Sequence, residues 1–306
     1  MVSPTVCGYA ARSMGDRLEP LEFKLPELGP FDICLDVTHC GLCYTDIHAI
    51  EDYYGITKFP FVPGHEIVGL VTDIGSSVRD FEPGQRVGAG WQGRCCGQCE
   101  WCQKGEEHLC IKISRAGTWE PYGGFATSIV IDSRFAYHLA DEIDSEIAAV
   151  LMCAGVTVYS ALRNNLTPTK QHLGIIGMGG LGHLAIQFAH HLGYAVTVVS
   201  GSPEKKAEAL SFGADDFMLS EKAVLRDSEY IFDSLLCTTH GEVNPELILD
   251  TLKKKGRLIL VGFPDLCLNT TDLVAHELSI CGSFLGSRAI MREMLTFAGE
   301  NKIKPR

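Results

Sequence analysis

Positive charge is in short supply in this sequence: 26 Lys and Arg stand against 38 Asp and Glu, a formal net charge of −12. That balance argues against a surface for nucleic acid or anionic membrane, since either needs clustered cations, and leaves a small molecule as the expected partner. The start, Met1 to Gly8, has neither a basic stretch nor an apolar core, so no secretory signal is read and a reducing, cytoplasmic setting is expected. An uninterrupted apolar run of bilayer length is missing as well. The longest candidate, Leu173 to Ala189, is cut by Gly177, Gly179, Gly180 and Gly182 and carries His183, which suits a buried strand plus helix and predicts no transmembrane segment. Internal repeats, low-complexity tracts and charged tails are absent too.

Cysteine, by contrast, is abundant. Thirteen is an odd number, so a complete disulfide framework is impossible, and metal binding becomes the leading explanation. At 306 residues and 46% hydrophobic content the chain exceeds the usual size of one core, and two domains are expected.

The pattern changes along the chain. Residues 1–147 read as short strands and turns, with Phe31 to His39 alternating by two and His65 to Ile74 strand-like, which predicts a β-rich domain. Over 148–297 apolar strands alternate with helical stretches. Strands are placed near His172 to Gly177, Ala195 to Ser200, Asp215 to Leu219, Tyr230 to Leu236 and Gly256 to Gly262, giving an α/β, doubly wound parallel sheet that binds a nucleotide. The basic run Lys253 to Lys255 reads as a helix C-terminus complementing its dipole.

Cys96, Cys99, Cys102 and Cys110 form a C-x2-C-x2-C-x7-C array, from which four thiolates of one loop can converge on a tetrahedral Zn²⁺. Four protein ligands leave no open position, so such a site is structural. An iron–sulfur cluster is the chemical rival and unrelated buried thiols the bland alternative; Cys95 breaks the spacing and is set aside.

Gly177-Met-Gly-Gly-Leu-Gly182 follows an apolar strand and opens the apolar helix Leu181 to Leu192, the context that makes a glycine motif credible as a dinucleotide site. Gly177 makes the tight turn, Gly179 lets the backbone approach the pyrophosphate, and Gly182 permits helix–strand packing, with Gly180 counted among the cofactor-binding residues. The phosphates then meet free N–H groups at a helix start. The next strand ends on Ser200, where an NAD site usually places Asp or Glu, which favours NADP(H).

Three dispersed residues complete a pattern: Cys43 within His39 to His48, His65 in Gly64-His-Glu66, and Cys153 in Leu151-Met-Cys-Ala-Gly155. Singly, each is more often a buried thiol or a satisfied histidine. Together with the motifs above they resemble the zinc-containing medium-chain alcohol dehydrogenases, in their cinnamyl-alcohol-dehydrogenase-like group, over nearly the whole chain. The resemblance implies a GroES-like catalytic domain followed by a Rossmann-type domain. It implies that Cys43, His65 and Cys153 hold a catalytic zinc with an open fourth position, a donor set whose charge nearly cancels that of the metal. Glu66 is an alternative ligand in the family, Asp46 orients the zinc-bound histidine, and Thr45 and His48 match the family's proton relay.

The resemblance also assigns Ser200, Ser202 and Lys205 to the 2′-phosphate, although Gly201 replaces a serine and Glu204 adds a negative charge. Thr157, Ser283 and Phe284 fall at positions that touch the nicotinamide. Tyr54, Trp91, Trp119, Phe284 and Leu285 are candidate pocket walls, which suggest an aromatic or medium-length aliphatic aldehyde. The expected enzyme carries two zinc ions per chain, forms a homodimer or tetramer, and moves a hydride between NADP(H) and an alcohol–aldehyde pair. A catalytically silent relative, or a reductase of polyols or terpenoid imines, is the alternative. Relatives continue for a few tens of residues beyond Asn301 to Arg306, so 298–306 reads as the start of a truncated return to the catalytic domain.

Overall fold

The computed structural model describes residues 5–115, 122–166, 171–221, 230–267 and 269–306; Trp119 lies outside them. The chain divides into two compact units, Met1–Cys153 with Gly286–Gly299, and Ala154–Leu285 with Glu300–Arg306. The divisions fall after Cys153, Leu285 and Gly299, where the expected limits are 147 and 297. Ser145–Val150, a π turn at Leu151–Gly155 and Val156–Asn165 follow one another without a loop, so no turn marks residue 147. By length and composition alone the run Ser145–Asn165 could cross a membrane, a run that the sequence reading passed over. With 78% of its window buried inside the protein, that apolar surface is already covered.

In the first unit five antiparallel strands form one sheet in the order Ser128–Asp132, Asp32–Gly41, Glu66–Ile74, Arg86–Ala89 and Ala136–His138. Period-two alternation sends Ile33, Leu35, Ile67, Val71, Val87, Ile129 and Ile131 into one core, all 4% exposed or less. In the register, Gly41 faces Glu66, and a Cβ at residue 41 would fall on the Glu66 carboxylate, so glycine there makes room for a buried acid. Elsewhere in the unit, Glu107, 4% exposed, holds Arg288 at the start of helix Arg288–Glu300. Its Oε1 accepts from Nε and Nη2 at 2.7 and 2.6 Å, and the guanidinium lies over Phe135.

The second unit is built on six parallel strands in the order Asp216–Leu219, Ala195–Ser200, His172–Ile176, Phe232–Cys237, Leu252–Leu260 and Ser279–Gly282. The chain starts in the middle, winds to one edge, returns and winds to the other. That is the doubly wound, Rossmann-type sheet, with its switch point where His172–Ile176 lies beside Phe232–Cys237. Ile176, Val199, Phe232, Leu235, Leu252 and Leu258 fill its core. Lys253 to Lys255 do not end a helix: Pro245–Asp250 stops before them and they belong to strand Leu252–Leu260. Lys253 Nζ instead bonds both carboxylate oxygens of Asp233 at 3.0 Å, a partner on the neighbouring strand.

Candidate active site

Helix Tyr44–Ile50 and the start of strand Glu66–Ile74 bring Asp46 and His65 together, both at 0% exposure. Asp46 accepts three bonds: from the Cys43 N–H at 3.0 Å, the Gly64 N–H at 2.9 Å and His65 Nδ1 at 3.0 Å. A carboxylate receiving two backbone N–H groups can only accept from the imidazole, so Nδ1 carries a proton and Nε2 is the nitrogen left for a metal once any proton on it is displaced. That Nε2 is buried and has no hydrogen-bond partner. It lies with Cys43 Sγ, Cys153 Sγ and a Glu66 carboxylate oxygen in a cluster whose ligand atoms are all within 4.8 Å of one another. An orphaned buried nitrogen facing two sulfurs is unfavourable by itself and is satisfied by a cation, so the residues fit a zinc ion.

The electrostatics agree with that chemistry. Cys43 and Cys153 stand 4.0 Å apart, and the Cys153 thiol bonding to Cys43 pulls Cys43 down to about 3, with His65 and the Thr45 hydroxyl adding to the effect against burial. Cys153 itself is held well above the usual thiol range by that same bond and by burial. Burial opposes an imidazolium at His65, but Asp46 and the Cys43 thiolate outweigh it and raise the ring well above its ordinary value. Burial first, then the Cys43 thiolate, pushes Glu66 up to about 8. This group of acids and thiols therefore retains protons that a metal would displace.

Thr45 sits on the same helix as Asp46, close enough for its hydroxyl to help lower the Cys43 thiol. His48 lies one turn further along, half-buried, among Tyr44, Tyr53 and Tyr54. The sequence reading missed Tyr44 and Tyr53; the i, i+4 spacing of Tyr44 and His48 was the available signal. Of the candidate pocket walls, Tyr54 is 37% exposed, while Trp91 is buried beneath the Arg115 guanidinium.

The four-cysteine loop closes on itself. Sulfur–sulfur distances are 3.5 Å for Cys96 to Cys110, 3.6 Å for Cys99 to Cys102 and 3.9 Å for Cys96 to Cys102. Backbone N–H groups of Cys96 and Lys112 point at Cys110 Sγ, both at 3.3 Å, and that of Cys99 points at Cys96 Sγ at 3.4 Å. Donors aimed at sulfur favour thiolates: the Cys102 N–H first among them brings Cys99 down to about 6. This second set also fits a tetrahedral metal, with all four positions taken by the protein.

In the second unit, Gly177 has φ 89° and a Cβ on it would meet the Thr239 methyl, while a Cβ on Gly182 would fall on the Gly177 carbonyl oxygen. Nothing lies within 4 Å of a Cβ built on Gly179 or Gly180. The turn is thus tight on one side and open on the other, at the start of helix Gly182–His191, and it fits a pyrophosphate. Thr238, a residue the sequence reading did not single out, ties the turn by donating to the carbonyls of Ile176 and Gly177 at 2.9 and 3.2 Å. Lys205 Nζ reaches the Met178 carbonyl at 3.1 Å, and Ser200 Oγ, on a buried residue, accepts from the Ser202 N–H at 3.2 Å. The proposed 2′-phosphate residues therefore cluster beside the glycine turn. Thr157 is buried in helix Val156–Asn165; the Ser283 N–H bonds the Leu260 carbonyl, Phe284 is 43% exposed and Leu285 is buried.

One unit with a parallel nucleotide-type sheet and another, β-rich, with two clusters that fit a metal define the class: a zinc-binding dehydrogenase. The family model described as alcohol dehydrogenase GroES-like domain matches residues 29–141, and that described as zinc-binding dehydrogenase matches 180–300. Cinnamyl alcohol dehydrogenase 2 of Rauvolfia serpentina is 38% identical over 310 residues, spanning 97% of this chain and 86% of that protein. A cinnamyl alcohol dehydrogenase from Sorghum bicolor superposes with a TM-score of 0.92 at 34% identity, over 98% of this chain and 89% of that one. CAD from Helicobacter pylori, solved in complex with NADP(H), gives 0.91 at 28% identity, over 99% and 90%. The chain belongs to the zinc-containing medium-chain alcohol dehydrogenases, in their cinnamyl-alcohol-dehydrogenase-like group.

Proposed function

We propose that this alcohol dehydrogenase is zinc- and NADP(H)-dependent and interconverts a primary alcohol and its aldehyde, of aromatic, cinnamyl-type or medium aliphatic structure. The observation that carries the reading is the buried, unpartnered His65 Nε2 facing Cys43, Cys153 and Glu66. Those first three residues would hold the catalytic zinc, and Cys96, Cys99, Cys102 and Cys110 a structural one, two ions per chain. Bound there, the catalytic zinc supplies a Lewis acid for the alcohol or carbonyl oxygen, and NADP(H) supplies or accepts the hydride.

The chain's own residues do the rest. Asp46 keeps His65 in the tautomer that leaves Nε2 free, and Glu66 stands by as a further oxygen donor. Thr45 Oγ1 would take the proton of the alcohol hydroxyl as its own proton passes on towards the His48 ring, which exchanges a proton with solvent, and the same relay would run in reverse for the aldehyde oxygen. Gly177 to Gly182 would hold the pyrophosphate, Ser200, Ser202 and Lys205 the 2′-phosphate, and Thr157, Ser283 and Phe284 the nicotinamide end. The unit Met1–Cys153 with Gly286–Gly299 would act as the zinc-binding catalytic domain, and Ala154–Leu285 with Glu300–Arg306 as the NADP(H)-binding domain. Thirteen cysteines, with no disulfide among the described residues, suit a reducing, cytoplasmic setting, and a homodimer is the expected assembly, to be read by sedimentation.

The decisive experiment is a panel of cinnamaldehyde, benzaldehyde, aliphatic aldehydes, a polyol and a cyclic imine, each with NADPH and NADH, on protein of measured zinc content. Aldehyde reduction with NADPH is expected. Turnover confined to the polyol or imine would overturn the substrate reading, and a zinc-loaded protein inert to all of them would overturn the enzymatic one.

A further inference from the structure

Helix Tyr44–Ile50 places Tyr44 and His48 one turn apart, and their rings meet edge-on with centroids 4.8 Å apart at 88°. The chain then doubles back. Asp52 adopts a left-handed φ of 47°, the Tyr53 N–H closes on the His48 carbonyl at 2.9 Å, and the Tyr53 ring comes to lie over the imidazole at 4.7 Å and 21°. Tyr54 stands edge-on to both, 5.9 Å from His48 and 5.0 Å from Tyr53. The turn that presents these rings is fastened on both sides: Asp52 Oδ1 accepts the Thr57 N–H at 2.8 Å, and Thr57 Oγ1 donates to the Ala49 carbonyl at 2.9 Å.

Tyr44 and Tyr53 are 59% and 66% exposed, so neither is there to fill a core. What they do contact is the imidazole, from its face and its edge. The χ2 torsion of a histidine is broad and roughly two-fold, so a half-exposed ring left alone samples many planes. A stacked ring and a perpendicular ring together allow one plane, because each pairing is favourable only near its own interplanar angle.

We infer that Tyr53, with Tyr44, is a positioning residue that clamps the His48 imidazole in one plane for proton exchange. The inference rests on the reading of His48 as a relay residue. It asks for the aromatic ring of Tyr53 and not for its hydroxyl, which separates it from a role in hydrogen bonding. Loss of the stack releases the ring to unproductive orientations and costs about ten-fold in the rate of a step that needs it aligned. Substrate affinity, set elsewhere, stays the same.

The test uses zinc-loaded enzyme and compares Tyr53→Leu, Tyr53→Phe and His48→Gln by kcat and KM, with NMR of ring-labelled histidine assigned from the His48→Gln spectrum. Circular dichroism and zinc content establish that each variant is folded. The expected result is a kcat about ten-fold lower in Tyr53→Leu at unchanged KM, with the His48 signals losing their ring-current shift, and recovery of both in Tyr53→Phe. Tyr53→Leu at wild-type kcat beside an impaired His48→Gln overturns the clamp alone. Tyr53→Phe as slow as Tyr53→Leu overturns it too, since the hydroxyl would then be responsible. His48→Gln at wild-type turnover overturns the relay reading, and the clamp with it.

Discussion

Replacing Asp46 by Asn changes one atom at the centre of the candidate zinc site. Asp46 accepts from three donors, two on Oδ1 and the Cys43 N–H on Oδ2. An amide cannot serve all three. Oriented to keep Gly64 and His65, it turns its NH2 toward the Cys43 N–H and leaves two buried donors facing each other. Oriented the other way, it opposes the Gly64 N–H and pushes the His65 proton from Nδ1 to Nε2, where a ligand lone pair is needed. The first orientation costs less. It forfeits one charge-assisted bond and weakens two others, and with an unsatisfied donor at a fully buried site the loss is roughly 3 kcal/mol in the metal-free protein. Zinc affinity falls a further ~10–100-fold, as expected when the partner of a ligating imidazole is removed. Denaturant unfolding of the metal-free variant and zinc titration against a chromophoric chelator read the two effects separately. Wild-type stability together with wild-type zinc affinity would refute the role given to Asp46.

Zinc uptake should release protons, because the metal-free site holds the Cys153 thiol and the His65 ring protonated above their ordinary ranges. The sign follows: the metal must displace those protons, so apparent affinity rises with pH, and calorimetry in buffers of different ionisation enthalpy should show net proton release near neutrality. Buffer-independent heats would contradict this. Cys99→Ser should lower the metal content by about one zinc per chain; elemental analysis giving an unchanged content would remove Cys99 from the ligand set. Gly182→Ala puts a methyl on the Gly177 carbonyl and should weaken NADPH binding at least ~ten-fold by fluorescence titration; an unchanged Kd would place the pyrophosphate elsewhere. Ser200→Asp should shift preference toward NADH, by the ratio of kcat/KM values, and no shift would mean that the 2′-phosphate is read by other residues.

What could be read from the sequence depended on distance along it. The Cys96 to Cys110 loop and the Gly177 to Gly182 turn are local arrays, and their spacing alone brings the groups together. Strand Ala195–Ser200 was legible end to end because an apolar run between turns has little else to be. Cys43 and Cys153, 110 residues apart, converge only through the fold, and no spacing rule could pair them; the resemblance did. Lys253 to Lys255 were misread since a charged run beside a helix looks like its end, whereas Asp233, which holds Lys253, lies on another strand. Tyr53 stayed invisible for a local reason: its place over His48 depends on a positive φ at Asp52, which an aspartate tolerates but does not require.

The Glu107–Arg288 pair joins residues 181 positions apart, while the four thiolates flanking Glu107 all lie between Cys96 and Cys110. These two features of one loop therefore mature at different moments in the birth of the chain. The thiolates can gather a metal as soon as their own short stretch is synthesised, but Glu107 must wait for almost the whole chain before its guanidinium arrives. Until then a carboxylate destined for burial stays in water, and a loop already closed on a metal would be a ready-made dock for the helix that comes late.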